Sequence, residues 1–537
     1  MPTRVARAWG RAAALVILVL VAGAGEVASA QRPEVPSLPS AINPRLDRIT
    51  VAKVGPWTIS ATEFLLNYEF GPAFSKRARD SKKRHLNFMI YEKLLALGAK
   101  EQGLDNWPDV RRQTQEIEAD LATEELYKQD VLGRVRVTDL EISRGVALER
   151  IHLKVRWLYA PTAEMIDTYR NALNAGVSFD SLFLGQFQNG VTLDDRTMQS
   201  TKFRMRTKNP AFAAILDTLP AGRVSLPVHG PDGWYLIQIT DLWTNPICTE
   251  SDEMTMRENV RRALTQHIAD SLSDAYVQKL IAVRQATILR EPFNAIETFV
   301  GRKFLDKGTF DDWKLAKRKG AGELQDSSAL NQIASRTLVQ MDKGNITVGQ
   351  FLEWYRMREP YLKVSRKSER EFFLSVEELV WRMVRDWLLT ERAYERGFQK
   401  RQSVRKQSEW WNQKMLYLAI KQRIGDTVVD SLPRLQRYYE ENTRDFTDDQ
   451  GNPKPFEIVR QDVWRQYYAA ELTRKLLHEI VRLKQKYGVE IREKVLDTLA
   501  VDAENDPRAI DVYPVKKGGI YPRQAFPSID YEWQTWN

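Results

Sequence analysis

The sequence predicts a mainly α protein with one inserted α+β domain and two related helical units. Three observations lead there. Most of the chain carries apolar residues at three- and four-residue spacing, as at Phe88, Leu94, Leu95 and Ala99 and again at Val380, Val384, Leu388 and Leu389, the stripe of an amphipathic helix. Segments of the first half recur in the second half in the same order. Between residues 149 and 246 the helical period gives way to alternation and turn residues, which marks a domain of another kind.

The chain opens with an address. Arg4, Arg7 and Arg11 precede the apolar run Ala12 to Ala24, and Ala28-Ser29-Ala30 supplies a small-x-small cleavage pattern, so residues 1–30 read as a secretory signal peptide. The apolar run is shorter than the roughly 20 residues a membrane span needs. The mature protein is therefore expected to be exported, in the periplasm, with residues 31–44 as a Pro-rich linker. At 537 residues the chain has room for about three domains. Its formal charge of +9 falls to +7 once residues 1–30, with three arginines and one glutamate, are removed. Outside the cytoplasm nucleic acid is not the expected target; acidic segments of client chains, or a weak contact with an anionic membrane surface, suit a basic protein better. Runs such as residues 75–84 also read simply as solvated surface. A single cysteine, Cys248, excludes an internal disulfide framework, so the fold must rest on apolar burial.

The repeat sets the domain plan. "VAKVGPWTISATEFLLNY" from Val51 recurs as "LVQMDKGNITVGQFLEWY" from Leu338, placing Ile59, Phe64, Leu65 and Tyr68 on Ile346, Phe351, Leu352 and Tyr355 at an offset of 287 residues. "LLALGAKEQGL" from Leu94 matches "LLTERAYERGF" from Leu388, and "VRRQ" from Val110 matches "VRKQ" from Val404, both at 294. "MRENVRRAL" from Met256 matches "VRQDVWRQY" from Val459, setting Val260, Leu280 and Ile288 on Val463, Leu483 and Ile491 at 203. The fall from 294 to 203 means that the second copy lacks about 91 residues that the first carries between Thr138 and Met256, the size of a small domain. This divides the chain into a first helical unit (45–148) with its closing helix (247–295), the insert (149–246), a connecting segment (296–335), a second helical unit without the insert (336–499) and a flexible tail (500–537).

Within each unit the elements follow from local rules. Ser60 with Glu63, and Thr347 with Gln350, have capping-box spacing. Helices are expected over 61–71, 80–102 and 107–132, with Pro108 suited to a first turn. The stretches 252–284 and 458–487 read as the long helices that close the units. Residues 290–335 show weak periodicity, and residues 31–44 and 500–537 are broken by Pro and Gly and expected to be mobile or draped on the surface. In the insert, "IHLKVRWLYAP" alternates as a strand, "TAEMIDTYRNALNAG" reads as a helix ending at Gly176, and "SFDSLFLGQF" starts another helix after Ser178. A loop, a short helix, a turn at Pro220-Ala-Gly222, a strand, a turn at Pro231-Asp-Gly233 and a last strand complete an α+β domain with an antiparallel sheet.

Here a resemblance becomes specific. "GVSFDSLF" followed by "PAFAAILDTLPAGRVSLPVHGPDGWYLIQITD" resembles the parvulin-type peptidyl-prolyl isomerase domain. The flanking "VAKVG…TIS…EF…Y" and "KLLALGAKEQGL" resemble the chaperone region of the SurA and PrsA family of exported foldases, and the second unit looks like that region without its isomerase. The resemblance implies a pair of histidines behind the substrate and an apolar pocket for the proline ring. Rotating an X-Pro bond breaks no bond; it needs a pocket that fits the twisted amide better than the planar one. Trp157 stands at the first histidine position and Tyr235 at the second, so the resemblance implies weak or lost isomerase activity and no catalytic residue is assigned.

The substrate-binding candidates are Trp157, Phe212, Trp234 and Tyr235. Trp157, Phe212 and Tyr235 fit equally a peptide-binding groove or the filled core of the sheet. The five histidines have no spacing that sets two on one helix face, a lone cysteine begins no zinc cluster, and no phosphate loop, dinucleotide fingerprint or nucleophile elbow is present. No cofactor and no metal is expected. The partners implied are unfolded or nascent exported polypeptides, outer-membrane proteins among them. The implied function is a periplasmic chaperone, with an active prolyl isomerase of altered site as the alternative.

Overall fold

The computed structural model describes residues 44–76, 80–187, 193, 195–208, 210–230, 233–244, 249–318, 333–501, 515–516 and 523–535. The expected signal segment, nearly all of the linker, and Cys248 lie outside them. The chain begins with a hairpin, β1 (Thr50–Val54) and β2 (Trp57–Ser60), turned at Gly55 with a φ of 55° that favours glycine. Ser60 Oγ accepts the Glu63 N–H at 3.2 Å and starts α1 (Ala61–Glu69). There follow α2 (Ser81–Glu101), α3 (Pro108–Asp130) and α4 (Asp139–Glu149), the last opened by a reciprocal Thr138–Glu141 capping box. The inserted domain comprises β3 (Ile151–Ala160), α5 (Ala163–Asn174), α6 (Phe179–Leu184), β4 (Thr197–Thr201), α7 (Lys202–Lys208), α8 (Pro210–Thr218), β5 (Val228–His229) and β6 (Trp234–Thr244). Beyond it run α9 (Glu250–Arg284), β7 (Thr287–Ile288), α10 (Arg290–Phe304), β8 (Thr337–Gln340), β9 (Ile346–Thr347) and α11 (Val348–Arg358). The remaining major elements are α12 (Glu369–Glu395), α13 (Gln402–Gly425), α14 (Leu432–Glu441), α15 (Phe456–Tyr487) and β10 (Val489–Ile491). The molecule is mainly helical with small antiparallel sheets, as the periodicity predicts.

The chain forms two compact units, and each is assembled from separated stretches. One unit takes the described residues up to Ile117 together with those from Arg405 onward; the other takes Glu118–Val404. These groupings cut across the segments expected from the sequence, because the hairpin of each half is closed by the strand of the other. In the first unit β1 pairs with β2 and with β10, with Ala52 opposite Ile491 and Lys53 opposite Glu490. In the second unit β8 pairs with β9 and with β7, with Val339 opposite Ile288 and Gln340 opposite Thr287. The hydrogen bonds correspond too. Arg492 N–H donates to Val51 O at 2.9 Å, and Leu289 N–H donates to Leu338 O at 2.9 Å. Helices follow the strands, with α2 against α15 in one unit and α12 against α9 in the other.

Each unit has its own apolar core. In the first, Ile59, Phe64, Tyr68, Leu86, Leu94, Leu95, Leu416, Ile420 and Leu483 are fully buried. Gly98 lets α2 approach closely: a Cβ there would lie 2.9 Å from Leu483 Cδ1 and 3.1 Å from Ile420 Cδ1. In the second, Phe351, Tyr355, Phe372, Val380 and Val384 pack with Ile296 and Val300.

Three local expectations differ from the structure. Residues 290–304, expected to be part of an irregular connection, form α10, with nine buried residues including Asn294, Glu297 and Thr298. Those buried polar positions blur the apolar period. Glu297 is held by an ion pair to Arg318, and Thr298 Oγ1 donates to Asn294 O at 2.8 Å. The stretch 197–201, expected to lie in a loop, is the edge strand β4; its sequence TMQST has one apolar residue, since an edge strand needs little burial. The tail, expected to be flexible, is anchored at its described end, where Trp533 is only 2% exposed.

Candidate functional site

The site grows from the two central strands of the inserted domain. The sheet order is β4-β3-β6-β5, all antiparallel, with Trp157 opposite Ile237 and Tyr159 opposite Tyr235. Side chains alternate across a sheet. On one face Leu158, Ala160, Trp234 and Leu236 pack under α5 and α6 with Ile166, Phe179 and Phe183. On the other face Val155, Trp157, Tyr235 and Ile237 meet Met205, Phe212 and Leu216 from α7 and α8. This second face is not filled. It borders a cavity of about 680 Å³, a size typical of ligand pockets, which run from about 300 to 1,000 Å³.

Trp157, Tyr159, Met198, Met205, Phe212 and Tyr235 form its apolar wall, with Asp195, Arg196, Lys367 and Glu371 adding charge. The Tyr235 ring meets Phe212 edge-on at 5.1 Å and Tyr159 at 5.4 Å between centroids, arrangements that aromatic quadrupoles favour. Gly230 is needed beside it, since a Cβ at that position would come within 2.7 Å of the Tyr235 ring. Gln186 completes the outer end of β3: its side-chain oxygen accepts the Tyr159 N–H at 3.1 Å and its amide donates to Tyr159 O at 2.9 Å. The same oxygen accepts Arg196 Nε–H at 3.3 Å, which holds the guanidinium 5.1 Å from the Tyr159 ring centroid, within cation–π range.

The charged rim is fixed locally. Ser368 caps α12 by accepting the Glu371 N–H at 3.2 Å, and Ser365 Oγ donates to the Glu371 carboxylate at 2.7 Å. Lys367 lies in the same turn, and its N–H donates to Ser365 Oγ at 3.4 Å.

Of the four sequence candidates, Trp157, Phe212 and Tyr235 converge on the cavity. Trp234 points to the opposite face, where it meets the His229 ring at 5.0 Å, because it neighbours Tyr235 along the strand. Tyr159, Met198, Met205, Arg196, Lys367 and Glu371 were not singled out in the sequence. Tyr159 was findable from the two-residue period of "VRWLYA"; Lys367 and Glu371 were not, being more than a hundred residues away along the chain. The cavity offers adaptable apolar surface from aromatics and methionines. The two positions where histidines were expected carry an indole and a phenol.

No protein-family model and no curated protein matches the sequence. Among solved structures, the chain is similar to the peptidylprolyl isomerase PrsA from Bacillus cereus, at 18% identity over 42% of this chain and 86% of that one, with a TM-score of 0.22. It is also similar to PrsA from Bacillus subtilis, at 14% identity over 42% of this chain and 93% of that one, with a TM-score of 0.16. At those scores the function rests on the residues of this chain alone.

Proposed function

We propose that the protein is an exported chaperone that binds unfolded envelope polypeptides, and that the cavity of the inserted domain grips apolar and prolyl segments without efficient isomerisation. The observation that carries this reading is the open aromatic and methionine wall around Tyr235, at a site where the sequence resembles a parvulin-type domain and aromatics stand where the resemblance implies histidines. Flexible thioethers and broad aromatic faces suit variable side chains, and Arg196, Lys367, Asp195 and Glu371 offer charge of both signs at the edge. Export rests on the sequence pattern of residues 1–30, and outer-membrane proteins are the expected clients.

The helical parts are read as a duplicated unit with exchanged closing strands. Val339 and Ala52, and Ile491 and Ile288, stand at the sequence offsets of the repeat. Their pairings, Ala52 with Ile491 and Val339 with Ile288, are related by those same offsets.

The test is suppression of aggregation of an unfolded outer-membrane barrel protein. The expected result is suppression at equimolar chaperone, reduced several-fold by Trp157→Ala and Tyr235→Ala; no suppression at several-fold excess overturns the reading. The alternative, an active isomerase, is tested by a protease-coupled prolyl peptide assay. A rate equal to buffer rules it out, and a rate abolished by Tyr235→Ala establishes it.

A further inference from the structure

The first unit holds a stretch of its own chain in the way a groove holds a peptide. Residues 525–530, outside any helix or strand, contact α2 through Glu92 and α13 through Tyr417 and Lys421, and are followed by a single turn, Tyr531–Thr535. The backbone of this stretch is held by side chains of the unit. Asn67 Nδ2 donates to Pro527 O at 3.0 Å, Asn67 Oδ1 accepts the Ile529 N–H at 3.2 Å, and Glu92 Oε1 accepts the Asp530 N–H at 2.7 Å. His85 Nε2, 2.9 Å from Asn67 Oδ1, orients that amide. Main-chain clamps combined with side-chain pockets are how peptides are recognised.

The pockets are chemically distinct. Phe526 stacks on Phe70 at 6.1 Å between centroids. The Asp530 carboxylate receives Lys421 Nζ at 2.6 Å and the Tyr417 hydroxyl at 3.0 Å. The Trp533 indole stacks on Phe88 at 5.6 Å and on Tyr417 at 6.1 Å, and its N–H donates to Glu92 at 2.9 Å. Together these read the pattern aromatic-Pro-x-x-Asp-x-x-Trp.

The floor beneath the stretch is charged. Lys93 pairs with Glu63 at 2.7 Å and Lys414 with Glu92 at 2.8 Å, and a residual space of about 40 Å³ lies among these residues and Phe526, Pro527 and Ser528, room for a water. In a permanently sealed core, buried ion pairs gain little over apolar packing. Under a cover that leaves, the same charges are hydrated in the open state.

We infer that this groove is a second polypeptide-binding site, specific for acidic segments carrying an aromatic-Pro pair and a tryptophan, and that residues 525–535 are its resident occupant, displaced by such segments of unfolded clients. This reaches beyond the cavity of the inserted domain, and its readout is peptide uptake by the first unit, so it stands or falls separately from the chaperone reading.

The probe is a labelled synthetic peptide of residues 523–537. In the full chain carrying a flexible, protease-cleavable linker between Val501 and Val515, cutting should let the peptide exchange in with saturable binding. The uncut chain should bind it at least ten-fold more weakly, because a tethered occupant competes at an effective concentration on the order of mM. Peptides with Asp530→Ala or Trp533→Ala should lose at least ten-fold in affinity. The full chain with Asp530→Ala and Trp533→Ala together, checked for its helical signal, should accept the unaltered peptide without cutting. If the cut chain keeps its tail through repeated dilution and the folded double variant takes up no peptide at tens of micromolar, the stretch is a structural strap and the inference is overturned.

Discussion

His85 makes the first unit acid-sensitive, and the size of the effect follows from its surroundings. The ring is fully buried between Ser75 Oγ, 2.9 Å from Nδ1, and Asn67 Oδ1, 2.9 Å from Nε2. Burial first, and the nearby Lys76 charge second, push its pKa down from 6.5 to about 3. The neutral ring is therefore the folded form, while the unfolded chain protonates it below about 6.5. Stability contributed by the neutral ring is complete above pH 6.5 and is lost progressively as the pH falls toward 3. At about 1.4 kcal/mol per pKa unit, moving from pH 7 to pH 5 costs about 2 kcal/mol from this group. Glu63 works in the opposite direction, since burial, only partly offset by Lys93, raises its carboxyl. Its contribution is common to the wild type and to a His85→Gln variant, so the difference between them isolates the imidazole. The assay is urea-dependent hydrogen exchange of peptides covering residues 81–101 at both pH values, corrected for intrinsic rates. The wild type should lose about 2 kcal/mol more than His85→Gln between pH 7 and pH 5. Equal losses would refute the assignment of a buried neutral ring.

Further tests address the packing and the site. Arg492→Pro removes the donor to Val51 and should weaken protection at residues 50–60 while sparing 337–347, whereas Leu289→Pro should do the reverse; each costs about 1 kcal/mol locally, and the opposite assignment would disprove the exchanged strands. Asp386, which accepts the Trp354 indole N–H at 2.9 Å beside the buried Arg358, should cost about 3–5 kcal/mol of second-unit stability as Asp386→Leu, read by denaturant unfolding. Gly98→Val should overpack α2 against Leu483 and Ile420 by about 1–3 kcal/mol, measured as a lowered urea midpoint. Gly230→Val should drive the Tyr235 ring from its place and reduce client binding as much as Tyr235→Ala does, with the circular-dichroism spectrum unchanged.

Much of the architecture was legible because it is local. The helices declare themselves through apolar period and caps: Ser60 and Thr347 each bond the backbone N–H three residues on. The insert declares itself through alternation. What failed to show was local polarity that tertiary contacts neutralise. Glu297 and Thr298 hide α10 because Glu297 is ion-paired to Arg318 and Thr298 is hydrogen-bonded to Asn294 O inside the core, and TMQST hides β4 because its partner strand is some forty residues away.

The sequence by itself determined most of the long helices and the stretch where alternation replaces the helical period, since propensity, capping and periodicity act over a few residues. Only the tertiary structure decided which strand closes which hairpin, that Lys367 and Glu371 rim the cavity, and that Trp533 is buried rather than free. Those outcomes depend on which of several similar surfaces meet. Ile288 and Ile491 stand at the same place in the repeat, and only the folded chain shows that each closes the hairpin of the other half.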